Sequence, residues 1–102
     1  MRIMKFGGTS VGNAAAIERT VQILADAYRS DGRLVAVVSA MSGVTNQLIA
    51  TAQAAAEGDE HAAATLPREL LQRHEAVVCE LVPTVSRQEA TIARLAELAA
   101  RC

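Results

Sequence analysis

The side chains best suited to chemistry fall in two short stretches, positions 5–10 and 39–46. The first reads Lys5-Phe6-Gly7-Gly8-Thr9-Ser10. Two successive glycines let a backbone come close to a ligand and turn several N–H groups into one concavity. A helix starting just beyond adds the partial positive charge of its N-terminus. Lys5 adds a full charge, worth about 4 kcal/mol against one phosphate charge at 4 Å and an effective dielectric of 20. Together these groups suit a phosphate. Lys5 is also the only lysine among ten basic residues, the rest being arginines. An ammonium is a compact point charge able to follow a moving phosphoryl group, whereas a guanidinium is a planar fork. The plainer alternative is a solvated lysine at a strand end beside an ordinary turn.

The second stretch holds Ser39, Ser42, Thr45 and Asn46. The hydroxyls of Ser39 and Thr45 could donate hydrogen bonds to a small carboxylate at the start of another helix. Ordinary capping of that helix is the competing role for each. Each stretch follows a short apolar run. If those runs are neighbouring strands of an open α/β sheet, both stretches lie beyond the strands' carboxyl ends, where such sheets bind ligands.

The elements needed to hold them there are legible. Arg2 to Phe6 reads as a strand entering the Gly7-Gly8 turn. Asn13 is a good N-cap for a helix over Ala14 to Arg29, with Ile17, Val21, Leu24 and Tyr28 on one stripe and Gly32 as the stop. Leu34 to Val38 is a continuous apolar run too short for a helix, and it reads as a buried strand. Strand, helix, strand implies a right-handed parallel crossover. A second helix begins at Ser42 or Gly43, with Val44, Leu48, Ala52 and Ala55 at helical spacing up to Gly58. Beyond Gly58 only helical patterns occur. Asp59 to Thr65 is ambiguous, and Pro67 fits the first turn of a new helix or kinks a continuous one. Leu70, His74, Val77 and Leu81 share a face until Pro83. Ser86-Arg87-Gln88-Glu89 reads as a capping box opening a last helix, with Ile92, Leu95, Ala96 and Ala99 on its inner side.

Composition removes several classes of function. With 102 residues there is room for one compact domain. Hydrophobic residues make up 51% but aromatics only 2%, Phe6 and Tyr28, so alanine dominates and a thin core is expected. The net charge of -1 offers no field for nucleic acid or an anionic membrane. Its distribution is uneven: five basic and three acidic residues up to Thr45, five basic and eight acidic after it. A small anion is received by the first part. Cys79 and Cys102 form no disulfide framework or C-x-x-C spacing, and with only His61 and His74 beside them no metal site is expected. His74 and Cys79 read as helix packing residues and His61 as solvated. No run approaches a membrane span, and Lys5, Gly7 and Gly8 interrupt any signal peptide, so a cytoplasmic, reduced location is expected. Two phosphate motifs fail: no lysine follows Gly12 as a Walker loop requires, and Thr9 replaces the second glycine of a dinucleotide fingerprint.

Lys5-Phe6-Gly7-Gly8-Thr9-Ser10-Val11 resembles the opening signature of the aspartokinases, within the amino-acid kinase family. Val38-Ser39-Ala40-Met41-Ser42-Gly43-Val44-Thr45-Asn46 is similar to that family's second motif. The heptapeptide is specific, and glutamate, acetylglutamate and uridylate kinases carry a looser version. The likeness extends to about Ala56, and the leucine pattern around Arg73-His74 fits a helical insertion of these enzymes.

The resemblance implies an α/β chain, the N-terminal part of a three-layer α/β/α amino-acid-kinase fold. Residues 1–58 would be its β-α-β-α start with both turns, and 59–102 its helical segment. The rest of the catalytic domain, with the adenine pocket, and the regulatory ACT domains are then expected outside these 102 residues. It further implies transfer of the ATP γ-phosphoryl group to the side-chain carboxylate of L-aspartate, the first step toward lysine, threonine and methionine. Lys5 would be catalytic, and Lys5, Phe6, Gly7, Gly8, Thr9 and Ser10 would bind ATP phosphate. Ser39 and Thr45 would bind aspartate. ATP is the implied co-substrate with Mg2+, whose ligands are not expected in this segment. The complete protein would be a homo-oligomer, and the 102 residues alone would be inactive. The alternatives are another amino-acid kinase, or a non-catalytic helical module using the leucine stripes after Gly58.

Overall fold

The computed structural model describes residues 1–101. Its elements are β1 (Arg2–Phe6), α1 (Ala14–Asp31), β2 (Leu34–Val38), α2 (Val44–Ala56), α3 (Glu60–Leu81) and α4 (Val85–Ala99). They fall into two compact units, Met1–Gly43 and the residues from Val44 onward.

In the first unit, β1 and β2 pair in parallel, from Arg2 opposite Leu34 to Phe6 opposite Val38. The α/β class and the parallel start follow the expectation. Asn13 caps α1 as its side chain accepts from the Ala16 N–H at 2.9 Å. Gly32 ends the helix in the left-handed region at φ 71°, its N–H donating to the Tyr28 carbonyl at 2.7 Å. Only a residue without Cβ takes that conformation cheaply.

Two details of packing in this unit differ from the sequence reading. The inner face of α1 is made by Ala16, Thr20 and Ala27, all buried, while Val21 and Tyr28 are exposed. Small residues bring this helix onto the strands. The second difference is β2, which is not buried: Val35, Val37 and Val38 are 45%, 49% and 58% exposed. Side chains alternate along a strand, so Ile3, Lys5, Val35 and Val37 share one face by the register. Phe6, on the other face, is buried. The single helix α1 covers one side of the pair, and a parallel sheet buries both sides only when helices flank both.

In the second unit, α2 packs on α3 and α3 on α4. The inner side of α2 is carried by Val44, Gln47, Thr51 and Ala54; Leu48, Ala52 and Ala55 are exposed. Gln47 donates to the Glu69 carboxylate at 3.1 Å, so a polar pair draws this face toward α3. Asp59 caps α3 through the Ala62 N–H at 3.0 Å, and the helix then runs unbroken through Pro67. Pro67 is therefore interior rather than the start of a helix. The Thr65 hydroxyl donates to the His61 and Ala62 carbonyls at 3.1 and 3.3 Å in the turn just before it.

The N-cap position of α4 is Thr84, two residues before the expected Ser86, and its side chain makes no capping bond. Gln88, read as part of a capping box, instead donates to the Val82 carbonyl at 2.6 Å, beyond the end of α3. Carbonyls at a helix end lack intrahelical donors, and the nearby amide supplies one. Among the described residues no helix is long and apolar enough to cross a membrane.

Candidate functional site

The carboxyl ends of β1 and β2 are tied directly. The Ser39 N–H donates to the Phe6 carbonyl at 3.0 Å, which sets the residue after β2 beside the residue opening the glycine turn. Residues 7–10 then form a turn closed by the Ser10 N–H on the Gly7 carbonyl at 3.0 Å. The first of the two stretches singled out from the sequence thus meets the start of the second, Ser39 and Ala40, at one rim. A methyl group placed on Gly8 would stand 3.8 Å from Ser39 Oγ and 3.9 Å from the Ala40 carbonyl, ordinary contact distances.

The three glycines of this turn differ in use. None adopts a positive φ, so their value is space rather than unusual backbone. Gly7 is exposed, and a methyl on it would meet nothing within 4 Å. Gly12 is crowded: a methyl there would collide with the Ser42 side chain and stand 3.0 Å from the Gly8 carbonyl. The open position faces solvent, and the closed one locks the turn.

Two hydroxyls hold the turn from behind. Thr20, buried on α1, donates to the Ser10 carbonyl at 2.7 Å. Ser42 donates to the Gly8 carbonyl at 3.4 Å. Among the described residues, the N–H groups of Gly8 and Thr9 find no acceptor within the chain. Unpaired amides in a partly exposed turn ahead of a helix N-terminus form a ready anion receptor.

Lys5 is exposed, on the face of the strand pair that α1 leaves bare. Among the described residues its side chain makes neither ion pair nor hydrogen bond, so no carboxylate neutralises its charge. Phe6 is buried and supports the turn from the core, while Thr9 is exposed and Ser10 half-buried. Ser39 is exposed beside Gly8. Thr45 belongs to the second unit, exposed in the first turn of α2. Lys5, the glycine turn and Ser39 are therefore assembled within one unit, and Thr45 is placed at the start of the next helix in sequence.

Sequence reasoning missed Thr20 and Gly12. Thr20 would have emerged from indexing the small residues of α1 at helical spacing, Ala16, Thr20 and Ala27, rather than the large apolar ones. Gly12 carries no local signal, because its neighbour Ser42 arrives from the far side of β2.

The weaker candidates resolve simply. The half-buried His74 contacts the Leu70 carbonyl at 2.7 Å through Nδ1, and since a carbonyl only accepts, Nδ1 carries the proton. His74 also lines a groove of about 240 Å³ with Leu70, Leu71, Leu95 and Leu98, an apolar cleft inside the second unit. His61 is exposed. Cys79, expected as packing, is exposed as well, on the outer side of α3. Among the described residues no three His, Cys, Asp or Glu side chains cluster as metal ligands.

The model of the amino acid kinase family matches residues 1–100. The chain is 49% identical over 47 residues to the aspartokinase of Rickettsia prowazekii (strain Madrid E), 46% of this chain and 10% of that protein. It is 46% identical over 68 residues to the aspartate kinase of Pseudomonas fluorescens (strain SBW25), covering 67% and 16%. To the aspartate kinase Ask_LysC of Stutzerimonas stutzeri (strain A1501) it is 41% identical over 68 residues, 67% and 15%. The chain spans less than a fifth of the length of these relatives.

Proposed function

The chain belongs to the amino acid kinase family, and from that premise we propose that it forms the phosphoryl-transfer end of an aspartate kinase. The observation that carries the reading is the rim itself. The unneutralised Lys5, the open Gly7, the unpaired amides of Gly8 and Thr9, and Ser39 lie together at the carboxyl ends of β1 and β2. The relatives named aspartokinase and aspartate kinase support aspartate as the acceptor.

In this reading a side-chain carboxylate oxygen of aspartate attacks the γ-phosphorus of ATP. The bond from that phosphorus to the bridging oxygen breaks, and the electron pair leaves with ADP. Phosphoryl transfer needs positioning and electrostatic stabilisation more than covalent participation. The Gly8 and Thr9 amides hold phosphate oxygens, with the Lys5–Ser10 segment as their frame. Lys5 offsets the negative charge that moves between donor and acceptor. Ser39 and Thr45 donate hydroxyl hydrogen bonds to the bound aspartate.

The family implies Mg2+ with ATP. The two stretches at the rim, 5–10 and 39–46, carry no acidic side chain to hold it, and none of these steps runs through the ion. Residues 1–102 supply the phosphate and part of the aspartate contacts. By themselves they are inactive, and the complete enzyme works in the cytoplasm as a homo-oligomer.

The test is a substrate panel on the complete protein: ATP consumption with aspartate, glutamate, acetylglutamate or uridylate as acceptor, and hydroxylamine trapping of any acyl phosphate. Aspartate-dependent hydroxamate is the expected result. Turnover with another acceptor and none with aspartate would overturn the assignment.

A further inference from the structure

Thr20 is the one buried polar side chain among the described residues, and it sits where alanine would otherwise serve. Its neighbours on the inner face of α1, Ala16 and Ala27, make contact by being small. Thr20 adds a directed bond: its hydroxyl donates at 2.7 Å to the Ser10 carbonyl, ten residues back along the chain. A bond of that length is at the strong end of hydroxyl–carbonyl geometry, and burial shields it from competing water.

The carbonyl it takes matters. A peptide unit is planar and trans, so its C=O and the following N–H point in opposite directions. Fixing the Ser10 carbonyl toward α1 fixes the Ser10–Val11 peptide plane and the exit of the turn. Ser10 also closes the turn at its other end by donating to the Gly7 carbonyl at 3.0 Å. At the middle of the turn, the Ser42 hydroxyl holds the Gly8 carbonyl at 3.4 Å, which aims the Thr9 N–H the opposite way. The turn is thus held at the Ser10 carbonyl from α1 and more loosely at the Gly8 carbonyl from the loop after β2, leaving the Gly8 and Thr9 amides unpaired.

We propose that Thr20 is a positioning residue for phosphoryl transfer: through the Ser10 carbonyl it holds the Gly7–Ser10 turn in the orientation that binds phosphate. This rests on the reading of that turn as the phosphate site. Thr20 touches neither substrate. Its effect is to remove the reorganisation the turn would otherwise undergo when phosphate arrives, and preorganised donors are worth most where charge develops.

The test uses the complete protein and three variants, Thr20→Val, Thr20→Ala and Thr20→Ser. Valine keeps the shape and removes the donor, serine keeps the donor, and alanine serves if the valine variant does not fold by circular dichroism. The readouts are kcat, the aspartate KM, the melting temperature, and ADP affinity by calorimetry. Loss of the donor is expected to lower kcat and ADP affinity by about tenfold each, the scale of one buried hydrogen bond. The aspartate KM stays within about twofold, and Thr20→Ser restores kcat and ADP affinity to near the parent values. A merely structural threonine would lower the melting temperature and leave both kcat and ADP affinity of the folded variant unchanged, and that result overturns the proposal. If the parent protein binds ADP but does not phosphorylate aspartate, the functional reading fails and the ADP affinities still decide the role of Thr20. A parent that binds no ADP refutes both.

Discussion

Gly7→Ala separates fold from function more cleanly than any other substitution in the turn. A methyl on Gly7 would meet nothing within 4 Å, and the residue does not use a positive φ. The folded state therefore accommodates alanine without strain, while the unfolded chain loses freedom. The expected effect on stability is zero or a gain of about 0.4–1 kcal/mol. The same methyl is costly to a ligand. An amide must come within about 2.7–3.1 Å of the oxygen it stabilises, whereas carbon–oxygen contacts settle near 3.3–3.6 Å, roughly. A phosphate seated on the next amides would be pushed outward by several tenths of an ångström. Misplacement approaching 1 Å costs about 10²-fold in rate. In the complete protein, Gly7→Ala is expected to melt at or slightly above the parent temperature and to lose about tenfold to 10²-fold in kcat/KM for ATP. Scanning calorimetry and steady-state kinetics give both numbers on one sample. A variant that is stable and also keeps parental ATP kinetics would show that the space above Gly7 is idle, and the turn would no longer be a phosphate site.

Gly12→Ala should behave in the opposite way. Its methyl would displace the Ser42 hydroxyl and crowd the Gly8 carbonyl, so a loss of about 1–3 kcal/mol is expected as a lowered melting temperature. An unchanged melt would contradict the packing described. Ser39→Ala and Thr45→Ala should each weaken aspartate binding by about 1.5–3 kcal/mol, the worth of a hydroxyl donating to a carboxylate, with little change in ATP affinity. If neither moves the aspartate KM, both residues are helix-capping or surface hydroxyls rather than substrate contacts.

How much of this was legible in the sequence depends on how local the cause was. The strand ends at Phe6 and Val38 and the caps at Asn13 and Gly32 came through because turn and cap chemistry acts within a few residues. The meeting of the Gly7-Gly8 turn with Ser39 was also anticipated, since parallel strands joined by a helix bring their carboxyl ends to one rim. The face of α1 was read only in part: Ile17 and Leu24 are half-buried, but hydrophobicity ranks Val21 and Tyr28 above Ala16 and Thr20, whereas close helix–strand contact selects small side chains. The face of α2 was misassigned for a related reason: the Gln47–Glu69 pair is a long-range contact with no apolar signature. Pro67 invited a helix start, but the stronger cap at Asp59 began α3 seven residues earlier. Small-residue spacing places Thr20 on the inner face of α1, but its bond to the turn, like that of Ser42, left no local signal because each acts on a carbonyl supplied by a distant segment.

In the proposed reaction, Lys5 stabilises the charge moving in phosphoryl transfer. Single-turnover kinetics on the complete protein, saturated with ATP and aspartate, compares the parent with Lys5→Ala and Lys5→Arg. Removing one preorganised stabilising charge should slow the chemical step by about 10²–10³-fold. Arginine should not restore it, because a planar guanidinium does not occupy the position of a compact ammonium. Aspartate affinity should be largely retained, since in the proposed site Ser39 and Thr45 are the residues that bind it. A folded, nucleotide-saturated Lys5→Ala protein whose chemical step runs at the parent rate would contradict the account and leave Lys5 a solvated residue at the end of a strand.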